Sequence, residues 1–156
     1  MAKSTPNQTL TVDNLWQFSL RYYSVREIKE ACLTLQNQFD GNVNLLLALR
    51  WLEQHRLTFP KQQWPQLQQS LERTESLLHD FRQLRRKTKQ YLPNSIDKES
   101  LQFELQLERE QQVDIVAAIH TLTITTATTE NLIDEYCHQL GAKQLIDEFR
   151  TQRDAE

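Results

Sequence analysis

The sequence predicts an all-α fold: an N-terminal three-helix unit packed with a long antiparallel helix hairpin and a C-terminal helical segment. Three observations predict it. Only two glycines and four prolines occur in 156 residues, too few turn formers for an all-β or loop-rich chain. Leu, Gln, Glu, Lys and Arg are abundant, and these are good helix formers. The stretch from Asn42 to Leu52 is apolar on nearly every side of a helix, the pattern of a buried central element.

Residues 1–10 read as a disordered leader. A first helix, capped by Thr11 or Asp13, runs to about Tyr23 and buries Leu15, Trp16, Phe18, Leu20 and Tyr22 or Tyr23. Ser24-Val25-Arg26-Glu27 has the spacing of a capping box, in which hydroxyl and carboxylate cover each other's backbone N–H groups. A second helix carries Ile28, Ala31, Cys32, Leu35 and Phe39 at helical spacing. Asp40-Gly41 supplies a left-handed turn that closes it. Asn42 caps a third helix by accepting from an N–H group two or three residues on. Asn44, in its first turn, either fixes the 40–44 turn against the first two helices or lines a pocket. Arg50 either snorkels past Trp51 to solvent or pairs with Glu27 or Glu53.

Beyond Pro60 the pattern lengthens. Trp64, Leu67, Leu71, Leu78 and Phe81 recur close to a 3-4 repeat, which predicts a fourth helix from Trp64 to about Tyr91, with Pro65 in its first turn. After the turn Leu92-Pro93-Asn94-Ser95, a fifth helix begins near Asp97 and runs to Leu122. The β-branched run Thr121 to Thr129 weakens or breaks the helix near 125–129. A later helix ends at Gly141, and a short last one covers 142–152. The resulting domain is residues 11–152: an N-terminal unit over 11–58, the hairpin over 61–122, and C-terminal helices over 129–152.

The net charge of −3 hides a division. Residues 61–91 hold seven Lys/Arg against three Asp/Glu, a balance of +4, and residues 92–156 hold five against thirteen, a balance of −8. A basic surface for nucleic acid beside an acidic region would give this split, and so would two segments that neutralise each other. The polar N-terminus lacks the apolar core of a signal peptide. The apolar runs Leu45 to Leu49 and Ile115 to Ile119 fall far short of the roughly 20 residues that span a bilayer. The expectation is a soluble cytoplasmic protein with no membrane partner. Cys32 and Cys137, distant and outside any CxxC pattern, read as reduced apolar side chains.

The basic candidates are Arg82, Arg85, Arg86, Lys87 and Lys89. They sit at a helix C-terminus, where the macrodipole favours cations. They could contact phosphates. In a hairpin turning at residue 94, however, Arg85 falls opposite Glu104, Arg82 beside Glu108, and Lys89 beside Glu99, and the reading prefers this internal pairing. Glu135 and His138 have the Glu-x-x-His spacing of di-iron bundles, but no second copy occurs. No metal site or cofactor is expected. No phosphate loop or nucleophile elbow occurs either, so the reading favours a protein that is not an enzyme. Trp16, Tyr23, Gly41, Asn42, Asn44 and Trp51 remain as structural or pocket candidates.

Leu15-Trp16-x-Phe18-Ser19-Leu20, Tyr23, Ala31-Cys32-Leu33-x-Leu35-Gln36, Val43-Asn44-Leu45-Leu46-Leu47 and Trp51 resemble a family of small, uncharacterised proteobacterial proteins, a domain of unknown function. Arg82-x-x-Arg85 and Glu104-Leu105-x-x-Glu108-Arg109 resemble its second-half pattern. Arg26-Glu27 departs from the Pro-Gly expected before the second helix. The resemblance implies a bacterial cytosolic helical protein and carries over no catalytic residue. Three functions remain open: an interaction or adaptor module for an unknown protein partner, a nucleic-acid or ribosome-associated protein using the basic run, and a small-molecule pocket near Trp16, Tyr23 and Asn44.

Overall fold

The computed structural model describes residues 9–150. It is all-α apart from one two-stranded ribbon. The elements are α1 (Val12–Tyr23), α2 (Arg26–Phe39), α3 (Val43–Gln54), β1 (Leu57–Thr58), α4 (Trp64–Gln69), α5 (Glu72–Thr88), α6 (Asn94–Ile119), β2 (Thr125–Thr126), α7 (Leu132–Leu140) and α8 (Ile146–Arg150), with single 3-10 turns before α4, after α5 and before α8. Of the expected leader, residues 1–8 lie outside the described residues, as do 151–152 of the expected last helix. Leu10 is fully buried.

α3 is the centre. Every residue from Asn44 to Glu53 is buried, because α1, α2, α6 and α7 all pack against it. Removing so much apolar surface from water, at about 25 cal/mol per Å2, is the main drive for this enclosure. The packing around α3 explains why its sequence shows no polar face.

α1 starts as expected, with Thr11 Oγ1 accepting from the Asn14 N–H at 3.1 Å. Its outer face is more exposed than expected: Trp16 is half-buried and Leu20 is 53% exposed. The expected capping box does not form. Ser24 Oγ donates to the Arg21 carbonyl at 2.6 Å, and Val25 occupies the cap of α2 without a side-chain bond. The Ser24 hydroxyl thus serves the end of α1, and no side-chain bond caps α2.

At the next turn it is Asp40, with φ 57°, that takes the left-handed conformation. Gly41 answers a different need. A Cβ there would lie 2.7 Å from Leu35 Cγ and 2.8 Å from Leu140 Cδ1, so only a bare backbone lets α7 approach the α2–α3 corner.

The single helix expected over 64–91 is two. Ser70 Oγ donates to the Leu67 carbonyl at 2.6 Å, and the backbone tightens to i to i+3 bonds at Ser70 and Leu71. The bend lets α4 turn Trp64 and Leu67 into the core while α5 lies along α6. α6 begins at Asn94, three residues before the expected Asp97, and ends at Ile119 rather than Leu122. Thr121 Oγ1 donates to the Ala118 carbonyl at 2.6 Å there, competing with a further turn. The Thr-rich run is extended: Thr125 and Thr126 pair antiparallel with Thr58 and Leu57. Gly141, at φ 72°, closes α7 as expected.

Candidate functional site

α3 begins inside the protein, so the polar groups at its start must be satisfied by neighbours rather than by water. Asn42 Oδ1 accepts from the Leu45 N–H at 2.7 Å, which turns its amide nitrogen toward Glu75 Oε1 and Gln111 Oε1. The Asn42 N–H donates to the Tyr136 hydroxyl at 2.9 Å, and burial raises that phenol to about 12. Asn44 does not bond the turn before it, as one expectation had it. It spans to α6: Nδ2 donates to Gln111 Oε1 at 2.9 Å and to the Glu108 carbonyl at 3.4 Å, and Oδ1 accepts from Gln112 Nε2 at 3.1 Å. Gln111 Nε2 donates onward to Thr74 Oγ1 and Glu75 Oε1, and Gln112 Nε2 to Ser19 Oγ. This polar seam joins α1, α3, α5 and α6.

A cleft of about 330 Å3 opens beside the seam, between α1–α2 and α6. It brings together three candidates from the sequence, Trp16, Tyr23 and Asn44. Its walls are apolar: Leu20, Leu33, Leu101 and Leu105, each more than a third exposed, face the same space. Asn44 and Gln112 belong to its lining, and Gln112 Oε1 is buried without a donor. Arg109 covers the Trp16 ring at 5.4 Å and pairs with Asp13. Lys29 sits 6.0 Å from the Tyr23 ring centre, and burial pushes the Tyr23 phenol up to about 12. On the α6 side, burial raises the Glu108 carboxyl above its ordinary range; the nearby Arg82 opposes the shift and Glu104 adds to it.

The other structural candidates lie elsewhere. Gly41 and Asn42 line a second, polar cleft of about 220 Å3 with Glu75, His79 and Arg86. Trp51 is buried, its ring edge-on to His55 with centres 5.7 Å apart.

The basic run divides. Arg85 binds Glu104 at 3.0 Å and Asp97 at 3.2 Å, and Arg82 reaches Glu104 at 3.3 Å and Glu108 at 4.0 Å. Arg86, Lys87 and Lys89 make no ion pair among the described residues, so the expected pairing of Lys89 with Glu99 is not seen. Lys89 lines instead, with Gln36, Arg82, Arg85, Arg86 and Glu104, a mainly basic hollow of about 210 Å3.

A charged knot lies on the opposite side of α3. Arg50, 1% exposed, pairs with Glu53 at 3.0 Å, as one alternative foresaw, and with Glu130 at 3.3 Å. Arg150 grips both Glu53 oxygens at 2.9 and 3.1 Å and reaches Asp134 at 2.7 Å. The two free cysteines are buried, and burial lifts their thiols to about 12 at Cys32 and about 11 at Cys137, too high for ready thiolate chemistry. Glu135 takes part in an ion pair with Lys61 at 4.0 Å and accepts from Gln139. Among the described residues no cluster of three or more His, Cys, Asp or Glu could hold a metal ion, and no helix is long and apolar enough to cross a membrane.

Sequence reasoning missed Gln111, Gln112 and the leucines of the cleft. Leu101, Phe103, Leu105 and Leu107 did carry a signal, since their alternation puts apolar residues on more than one face of α6. The glutamines carried none, because Gln is equally at home on a solvated helix.

No curated protein and no solved structure matches the chain. A family model described as "Protein of unknown function (DUF2390)" matches residues 14–115, which takes in the whole polar seam, all of the cleft lining and most of the hairpin. With about two thirds of its length matched, the chain belongs to the DUF2390 family.

Proposed function

We propose that this protein is a non-enzymatic interaction module whose working surface is the cleft between α1–α2 and α6, and that it receives an apolar helix of another protein there. The carrying observation is the convergence of Leu20, Leu33, Leu101 and Leu105, each more than a third exposed, on one open space. From Leu101 to Gln112 the α6 wall runs about 16 Å at ~1.5 Å per residue, the length of three helical turns. That is the span over which an amphipathic helix places its i, i+3/i+4 and i+7 anchors in a groove. Lys29 on α2, and Arg82 paired with Glu104 and Glu108 at α5–α6, give the lining both signs of charge.

Affinity capture from a bacterial lysate tests this, using wild-type protein and Leu105→Asp, a change at a partly exposed position that preserves the helical content. Wild type retains a specific partner and the variant loses it. Recovery of the same proteins by both would remove the cleft from the function.

A second reading has its own observation. Arg86, Lys87 and Lys89 are left without carboxylates at the end of α5, and a nucleic-acid phosphate backbone suits such a group. Retention of RNA that falls steeply with salt and disappears on changing all three to Gln would favour it over the cleft.

A further inference from the structure

We propose that the outer face of the α5–α6 hairpin, on the side turned away from the cleft, docks a second copy of this chain, so that two hairpins close into an antiparallel four-helix bundle. The inference does not rest on the cleft, which lies on the other side of α6.

The hairpin carries two apolar stripes. On α6, Phe103 is two residues from both Leu101 and Leu105, which places it about 160° round the helix from those cleft leucines. Phe103 meets Phe81 of α5, with 5.2 Å between ring centres. One turn inward, four residues back on α5 and four residues on along α6, stand Leu77 and Leu107; toward the tip come Leu84 and Ile96. Positions 77, 81 and 84 on one helix, and 96, 103 and 107 on the other, have the heptad spacing of a helix-packing seam. Leu77, Leu84 and Phe103 are each at least half exposed, and Ile96 is 43% exposed. α5 packs chiefly along α6, and these exposures show that no other described element covers the stripe. At its inner end the stripe gives way to charge, where Arg73 bridges Glu110 at 3.0 Å and Asp114 at 2.9 Å.

The charges beside the stripe select its occupant. At about 100° per residue, Lys87 and Asp80 edge it on α5, and Glu99 and Gln106 edge it on α6. The contacts of Phe81 with Phe103 and of Arg85 with Ser100 fix the register, so Lys87 and Glu99 stand level with each other on opposite edges. Both are exposed, and neither makes an ion pair among the described residues. A two-fold axis running along the hairpin lays α5 of each copy antiparallel to α6 of the other, at unchanged level. That sets Lys87 of each copy against Glu99 of the other, twice, and faces Asp80 with the neutral Gln106. A two-fold axis across the hairpin would instead lay basic α5 on α5 and acidic α6 on α6. A face with its cation on one edge and its anion level with it on the other is complementary to itself. Two helices, each ~10 Å across, over a stripe of ~16 Å remove on the order of 500 Å2 from each copy, about 1,000 Å2 in all, the lower end of specific interfaces. The dimer is therefore reversible, with a dissociation constant in the micromolar range.

Sedimentation velocity on the full chain, from about 5 to about 500 µM, tests this by following the passage from monomer to dimer. Leu84→Asp, at an exposed position, keeps the helical circular dichroism and weakens the dimer by at least about tenfold. Leu105→Asp, in the cleft, leaves the dimer unchanged. The deciding variants are Lys87→Glu and Glu99→Lys. Each alone opposes like charges at both contacts and dimerises about tenfold more weakly. Their equimolar mixture restores both contacts and forms a heterodimer at wild-type affinity. Both changes lie at exposed side chains, so this comparison stands even where Leu84→Asp fails to fold. A wild-type chain that stays monomeric at about 500 µM would overturn the proposal. So would a dimer weakened by Leu105→Asp rather than Leu84→Asp, or a mixture that associates no more tightly than its components. Retention of a foreign protein on the Leu84 face by a chain that remains monomeric would overturn the second copy as occupant.

Discussion

Two residues show how local geometry decides the outcome of a substitution. Gly41 is needed for space, not for a left-handed backbone, since Leu35 and Leu140 already occupy the position of a Cβ. Both neighbours are held in the core, so Gly41→Ala forces them apart and costs about 1–3 kcal/mol, read as a lower midpoint in urea unfolding. Glu108 is a carboxyl whose neutral form the fold favours, mainly through burial. Its folded pKa lies above the unfolded value, so the folded state binds more protons. Stability is therefore greatest below the ordinary carboxylate pKa of about 4.3 and declines as pH rises through the folded value. Glu108→Gln keeps the neutral form at every pH. It raises the melting temperature at pH 7 and leaves it unchanged near pH 3; a lower melting temperature at pH 7 would show that the Arg82 attraction outweighs burial.

At the scale of elements, the hairpin of α5 and α6 was legible because charge and apolar spacing both specify its register. A turn near residue 94 places Arg85 against Glu104, and the two side chains meet at 3.0 Å. The pair is mostly withdrawn from water, with side-chain exposures of 20% and 12%. A double-mutant cycle with Arg85→Ala and Glu104→Ala should give a coupling energy of about 1 kcal/mol. A coupling near zero would mean that apolar contacts such as Phe81 on Phe103, 5.2 Å between ring centres, set the register alone. α3 was equally legible, since an element enclosed on all sides has no polar face to disguise it. The ribbon of β1 and β2 was not. Leu57-Thr58 is too short to show a period, and the Thr-rich run reveals its strand only when the distant partner is known. The bend at Ser70 was hidden for a related reason: one hydroxyl bond ends α4 without disturbing the apolar repeat. The cleft was half legible. Trp16, Tyr23 and Asn44 were singled out, but an unpartnered acceptor such as Gln112 Oε1 emerges from a network of amides drawn from two helices distant in sequence, and no spacing rule reports it.

Over the whole molecule, the charge division resolves into contact. The basic α5 lies on the acidic α6 through Arg73, Arg82 and Arg85, so much of the excess on each is spent internally. The second unifying device is the knot around Glu53. Tyr22 donates to the Phe149 carbonyl, Phe149 is fully buried, and Arg150 closes on Glu53, Glu130 and Asp134. Arg150→Ala would strand part of the Glu53 charge in the core and should cost about 3 kcal/mol in urea unfolding. Arg150→Lys restores charge without the two-pronged grip and recovers only part of the loss. Equal stability of Arg150→Ala and wild type would show that Arg50 alone suffices.

The knot also imposes an order on biosynthesis. Glu53 and Arg150 are 97 residues apart, so during translation α3 leaves the ribosome with a carboxylate whose second guanidinium partner has yet to be made. Translation at about 5–20 residues per second leaves that carboxylate waiting for roughly 5–20 seconds. In the first part of that interval, before α6 and α7 are made, the nascent chain has only α1 and α2 to shield its most apolar helix.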